Sequence, residues 1–205
     1  MKFILTACLF FILLIFNNCN VCSCKKVPCP GFNNSLFTSW FPYTINQQIF
    51  FKNGSSTDTV TILNVVNSDP YDASQGCYNG ALGCNTSSQI YSGERTGDRP
   101  KLQIYYGSQT PFESTTTSEN INLTLRQFNC TAKTITDQGL QVVVSPLFSV
   151  QFFSSVVIAG NTYNNVQLIR RDTNDYTGPY KVYLEKNTGI VAFENYPDLQ
   201  TWVKQ

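Results

Sequence analysis

The sequence predicts an all-β protein: a single antiparallel β domain, sandwich or open barrel, behind a cleaved signal peptide. Three observations point there. Short runs rich in β-branched and aromatic residues recur from Gln47 onward at intervals of about 8–15 residues, joined by Gly, Asn, Ser and Thr turns. Helical periodicity is absent apart from short turns at Ser35–Trp40 and Pro197–Val203. Hydrophobic residues at 42% and aromatics at 14% are enough for one packed core in a 205-residue chain.

The N-terminal segment, residues 1–23, reads as the signal peptide. Lys2 supplies a positive start, and an apolar run from Phe3 to Phe16 is broken only by Thr6. Such a run is too short to cross a bilayer as a helix, which takes about 20 residues. Asn17 and Asn18 end it. The following Val21-Cys22-Ser23-Cys24 resembles a bacterial lipobox, with an aliphatic residue three before the acceptor cysteine and small residues between. Small residues fit a peptidase channel, and only a thiol can form the thioether that carries diacylglycerol. The resemblance makes Cys24 the lipid attachment site. It departs from the usual pattern at Cys22, where Ala, Ser or Thr is commoner. Two or three acyl chains would hold the protein to a membrane almost permanently, at ~0.8 kcal/mol per buried CH₂.

Residues 24–46 form a tether and lead-in. Pro28, Pro30 and Gly31 discourage regular structure, while Phe37, Trp40, Phe41 and Tyr43 offer aromatic packing against the domain. The β domain spans 47–205. Gln47–Lys52 leads into the turn Asn53-Gly54, and Thr57–Val66 is rich in β-branched residues. Lys101–Tyr106 places Leu102, Ile104 and Tyr106 on one face, and Ile121–Phe128 alternates most cleanly. Gln141–Ser145, Val150–Ile158, Val166–Arg171 and Tyr180–Lys186 follow, and Asn187-Thr188-Gly189 makes a hairpin into Ile190–Glu194. Asp69–Gly83 is the longest irregular insert.

Cleavage at Cys24 leaves Cys29, Cys77, Cys84 and Cys130, an even number suited to an oxidising compartment. Four cysteines allow three pairings. Cys77 and Cys84 flank a turn-prone segment containing Asn79-Gly80, which favours a local bridge and leaves Cys29 for Cys130. A four-cysteine zinc site is disfavoured, since the Cys-x2-Cys knuckle is missing and export opposes free thiolates. No metal or cofactor is expected.

Charge and residue chemistry exclude several functions. Fourteen basic residues against 13 acidic give a net charge of +1, which offers no case for nucleic acid. The chain contains no histidine, which removes Ser-His-Asp and Cys-His catalysis. Phosphate-loop, nucleophile-elbow and zincin motifs are missing. Asp172–Gly178 looks acidic and turn-prone, but Tyr176 and Thr177 stand where a calcium loop needs Asp or Asn and then Gly. A carboxylate pair is the remaining hydrolytic option, with Asp69, Asp72, Glu94 and Asp98 among the acids. Glu94–Arg99 alternates charge and reads as a solvated, salt-bridged loop. Five Asn-x-Ser/Thr sequons, at Asn33, Asn53, Asn85, Asn122 and Asn129, follow from a composition rich in these residues. Tyr105 and Tyr106 are adjacent, so in a strand one of them faces away from the core. An outward ring covers a polar sheet face, and such rings, Trp202 being another candidate, can also stack on sugars or enter a partner surface.

Gly160–Val166, followed by Tyr183–Phe193, is similar to the C-terminal part of uncharacterised outer-membrane or periplasmic lipoproteins of Bacteroidetes-type bacteria, as is the Ser23-Cys24-Lys25-Lys26 junction. The resemblance covers about a quarter of the chain. It implies a β-rich protein lipid-anchored to the outer membrane. It also implies that the protein faces the periplasm, because Lys25-Lys26 stands where surface-exported members carry acidic residues. A non-catalytic binding or structural role is expected, with a protein, glycan or hydrophobic ligand left open. The alternatives are a secreted binding module without lipid and a carboxylate-dependent hydrolase.

Overall fold

The computed structural model describes residues 32–68, 84–97, 99–110, 117–143 and 146–205. The signal segment, Cys24 and Cys29 lie outside the described residues, as does the whole Asp69–Gly83 insert with Cys77. Among the described residues one short helix, α1 (Ser35–Trp40), precedes fourteen strands. The first are β1 (Gln48–Asn53), β2 (Ser56–Asn67), β3 (Cys84–Ser92), β4 (Arg95–Thr96), β5 (Arg99–Pro100), β6 (Leu102–Thr110) and β7 (Ser118–Leu125). After them come β8 (Phe128–Thr136), β9 (Gly139–Val143), β10 (Phe148–Ile158), β11 (Asn161–Arg171), β12 (Gly178–Glu185), β13 (Gly189–Tyr196) and β14 (Thr201–Lys204).

Twelve strands form one antiparallel sheet in the order β10-β11-β12-β13-β14-β1-β2-β3-β6-β7-β8-β9, while β4 and β5 pair separately. The sheet curls into a nearly closed barrel. Strand β14 fits between β13 and β1, pairing Phe193 with Trp202 and Lys52 with Val203, so the first and last strands of the sheet in sequence are neighbours. Residues Pro197–Val203, expected as a helical turn, instead end in this strand because both flanking strands offer it a ladder.

Alternation sets the inside. On β7, Ile121, Leu123 and Leu125 are buried while Asn122 and Thr124 face outward. The expected run Ile121–Phe128 is divided by a turn at Arg126-Gln127, with Arg126 at φ 55°. Phe128 then opens β8, whose inward set is Phe128, Cys130 and Ala132. Strand β3 puts Ser88, Ile90 and Ser92 inside. Its string of small polar residues gives no apolar alternation to read.

The barrel is filled. Helix α1 follows the N-cap Asn34, whose side chain accepts from Phe37 N, and it drops Phe37 and Trp40 into one end. Phe41 and Tyr43 are buried behind them, so the folded body includes the aromatic part of the lead-in. Trp40 Nε1 donates to the Thr136 carbonyl at 3.0 Å, and Ile190 N donates to the Tyr43 hydroxyl at 2.7 Å. At the other end Arg126 lays its guanidinium 5.2 Å from the Phe193 ring centroid and 5.8 Å from that of Trp202. Asp58 neutralises it and also accepts from Lys101 Nζ at 2.7 Å.

The edge strands β9 and β10 lie beside each other without a ladder. Gln167 on β11 bridges the seam. Its Oε1 accepts from Leu140 N at 2.9 Å, and its Nε2 donates to Leu140 O at 2.7 Å. Gly139, at φ 93°, permits the approach: a Cβ there would stand 2.4 Å from Gln167 Oε1. Outside, Ile158 near the tip of the β10–β11 hairpin packs with Ala192 and Val203, covering part of the outer face of β13 and β14.

Candidate functional site

The pair Tyr105-Tyr106 splits as strand geometry requires. Tyr106 points inward at 3% exposure, packing 5.2 Å from Phe37, and its hydroxyl donates to Glu119 Oε1 at 2.7 Å. Burial and the Glu119 carboxylate both raise its pKa. Tyr105 points outward and is half-buried. Register places it in a cross-strand row, Gln89↔Tyr105↔Asn122↔Thr131, over β3, β6, β7 and β8. The rows beside it read Tyr91↔Gln103↔Thr124↔Asn129 and Ser87↔Gly107↔Asn120. None of these side chains carries a charge.

Gly107 shapes the surface. A Cβ at this position would meet the Tyr105 hydroxyl at 2.6 Å and Cε1 at 3.1 Å, so the ring lies along the strand over the glycine. A groove of about 510 Å³ runs on one side, lined by Asn85, Ser87, Tyr105, Gly107, Gln109 and Asn120. A second, of about 400 Å³, runs on the other, between Gln103, Tyr105, Asn122, Thr124, Asn129 and Thr131. Both volumes fall within the roughly 300–1,000 Å³ typical of small-ligand sites. Glu119 edges the first groove, but its carboxylate is held by Tyr106, Thr134 and Asn34. Thr131 Oγ1 donates to Asn122 Oδ1 at 2.6 Å, fixing one wall.

The other expected site residues disperse. Cys84 is disulfide-bonded, and its partner lies outside the described residues. Cys130 requires a correction: it is a free thiol with 0% exposure, so the bridge expected between it and Cys29 is not formed. Its place in the inward set of β8, among Leu123 and Ala132, explains this, because a cysteine there fills core volume. Burial pushes its pKa up to about 12. Asp69, Asp72 and Asp98 lie outside the described residues. Glu94 accepts from Thr61 N at 2.8 Å; burial raises its pKa, but the Thr61 bonds and the Lys101 charge together hold it below the usual value. Trp202 stacks on Phe193 at 6.0 Å with a 7° interplanar angle, which packs it, partly buried, against the core. In the Asp172–Gly178 loop the Asp172 carboxylate accepts from Asn174 N, and Arg171 sits 3.9 Å over the Tyr176 ring.

Sequence reasoning singled out Tyr105 but not its surroundings. The signal lay in Gly107, two positions on and therefore on the same face, beside uncharged alternate residues on β6 and β7. Comparison of the chain with family models, with curated proteins and with solved structures finds no match.

Proposed function

We propose that this is a lipid-anchored cell-envelope protein, attached through Cys24 to the outer membrane and facing the periplasm, with a binding role and no catalytic one. The observation that carries the reading is a lipobox-like junction ahead of a barrel whose interior is apolar and whose outer face over β3, β6, β7 and β8 is polar. Membrane-spanning barrels have the opposite polarity, with an apolar outer band. The amide and hydroxyl face of β3, β6, β7 and β8 is suited to water, so membrane attachment falls to the acyl chains on Cys24. Interior packing by Phe37, Trp40 and Phe41 leaves binding to the outer surface, where Tyr105 sits between two grooves. Support for the non-catalytic part comes from the carboxylates. Asp58, Glu119 and Glu194 are each committed to structural partners: Lys101 and Arg126, Tyr106 and Thr134, and Lys181 and Tyr180.

Phase partitioning in Triton X-114, with intact mass, tests the anchor. The wild-type chain should enter the detergent phase and carry the added mass of diacylglycerol and acyl groups. Cys24→Ser should leave the protein unacylated and change its partitioning. Wild-type protein in the aqueous phase at the mass of a merely cleaved chain would establish the secreted, non-lipidated alternative.

A further inference from the structure

The geometry points to the Tyr105 face as a binding site for a neutral oligosaccharide, a proposal that rests on the binding reading above and names its ligand. The chemistry of the lining selects the class. Asn85, Gln103, Asn120, Asn122, Thr124 and Asn129 offer paired donors and acceptors with no net charge. That set matches sugar hydroxyls, which both give and accept hydrogen bonds, and gives no reward to an anionic or cationic ligand.

Tyr105 supplies the apolar element. A pyranose presents a patch of C–H groups on its ring face, and a flat aromatic surface bordered by amides is complementary to it. The ring is pre-placed, because Gly107 leaves room for it to lie along β6 and a groove flanks it on each side. Little side-chain freedom then remains to be lost on binding. Within a row, neighbouring strands are ~4.8 Å apart, close to the advance of one ring along an extended β-linked glycan. Such a chain laid across β3, β6, β7 and β8 would meet a fresh amide or hydroxyl at each strand.

The test is isothermal titration calorimetry on protein expressed from the full chain and purified from whichever fraction holds it. A sugar-free zwitterionic detergent is used where the protein is membrane-bound. The probes are cellotetraose, maltotetraose, tetra-N-acetylchitotetraose and, as a charged control, tetragalacturonate. At least one neutral probe should bind, and tetragalacturonate should bind more weakly than it. Tyr105→Ala should weaken the interaction about tenfold or more, and Tyr105→Phe, which keeps the ring, should retain most of it. Gly107→Ala should also weaken binding, although Tyr105 is still present, because the added Cβ displaces the ring. Thermal melting of each variant separates loss of site from loss of fold. If no neutral probe gives heat, or if a folded Tyr105→Ala protein binds like wild type, the glycan site is overturned. The outcome does not depend on acylation, so failure here leaves the anchor standing, and failure of the anchor leaves this site standing.

Discussion

Single side chains determine how this barrel is filled and closed. Trp40 is the largest of the buried residues, with 0% exposure and its indole N–H committed to Thr136. Trp40→Ala should cost about 3–5 kcal/mol, the range for removing a large buried aromatic, with the orphaned Thr136 carbonyl adding to the cavity. Urea unfolding of the two proteins would measure it; a loss below about 1 kcal/mol would show that α1 does not plug the interior. Arg126 works at the opposite end by a different route. Its positive φ turns the chain between β7 and β8, while its guanidinium reaches under Phe193 and Trp202 to Asp58. Sequence gave no sign of this, since nothing local distinguishes an arginine in a turn from one in water. The free thiol of Cys130 is a similar case, because cysteine counting assumes that cysteines pair and cannot weigh one that serves as a small apolar group.

At the level of strands and turns, legibility followed the apolar alternation. Strands β1, β2, β6 and β7 announce themselves through apolar residues alternating onto one face. Strand β3 does not, because Ser88 and Ser92 occupy its inward positions, and Ser92 finds its partners only in the folded state: Leu102 N donates to Ser92 Oγ, which itself donates to Glu94 O. The seam between β9 and β10 was also invisible, since a glutamine that completes a missing ladder cannot be told from any polar strand residue. Its role is testable. Gln167→Leu leaves the buried Leu140 N–H and C=O without partners, an expected loss of about 2–4 kcal/mol. Faster hydrogen exchange should appear at the Leu140 amide. Unchanged exchange there would mean that the edges are held by something other than the carboxamide.

The whole molecule has an alkaline limit written into its core. The Cys130 thiol is pushed by burial from 9.0 to about 12, Tyr176 from 10.0 to about 12 by burial that Arg171 partly offsets, and Tyr43 is raised further by burial against its bond from Ile190. These groups stay protonated in the folded state at a pH where the unfolded chain releases its protons. The unfolded state then binds fewer protons, so stability is fully present below about pH 9 and falls as pH rises beyond it. Melting temperature should be level up to about pH 9 and decline above, and Cys130→Ala should move the onset toward pH 10, where tyrosines take over. A melting temperature that stays constant to pH 11 would contradict the burial of all three groups.

Strand β14 adds one more consequence. Its four residues are the last piece of the wall, slotted between β1, made at the start of the barrel, and β13. The cylinder cannot be sealed until this segment, which follows every other strand of the sheet in sequence, has docked. Until then β1 and β13 present open margins to any extended chain nearby. A molecule whose β14 has not yet docked would be vulnerable to pairing with its neighbours, and a chaperone binding extended segments would have its clearest target there.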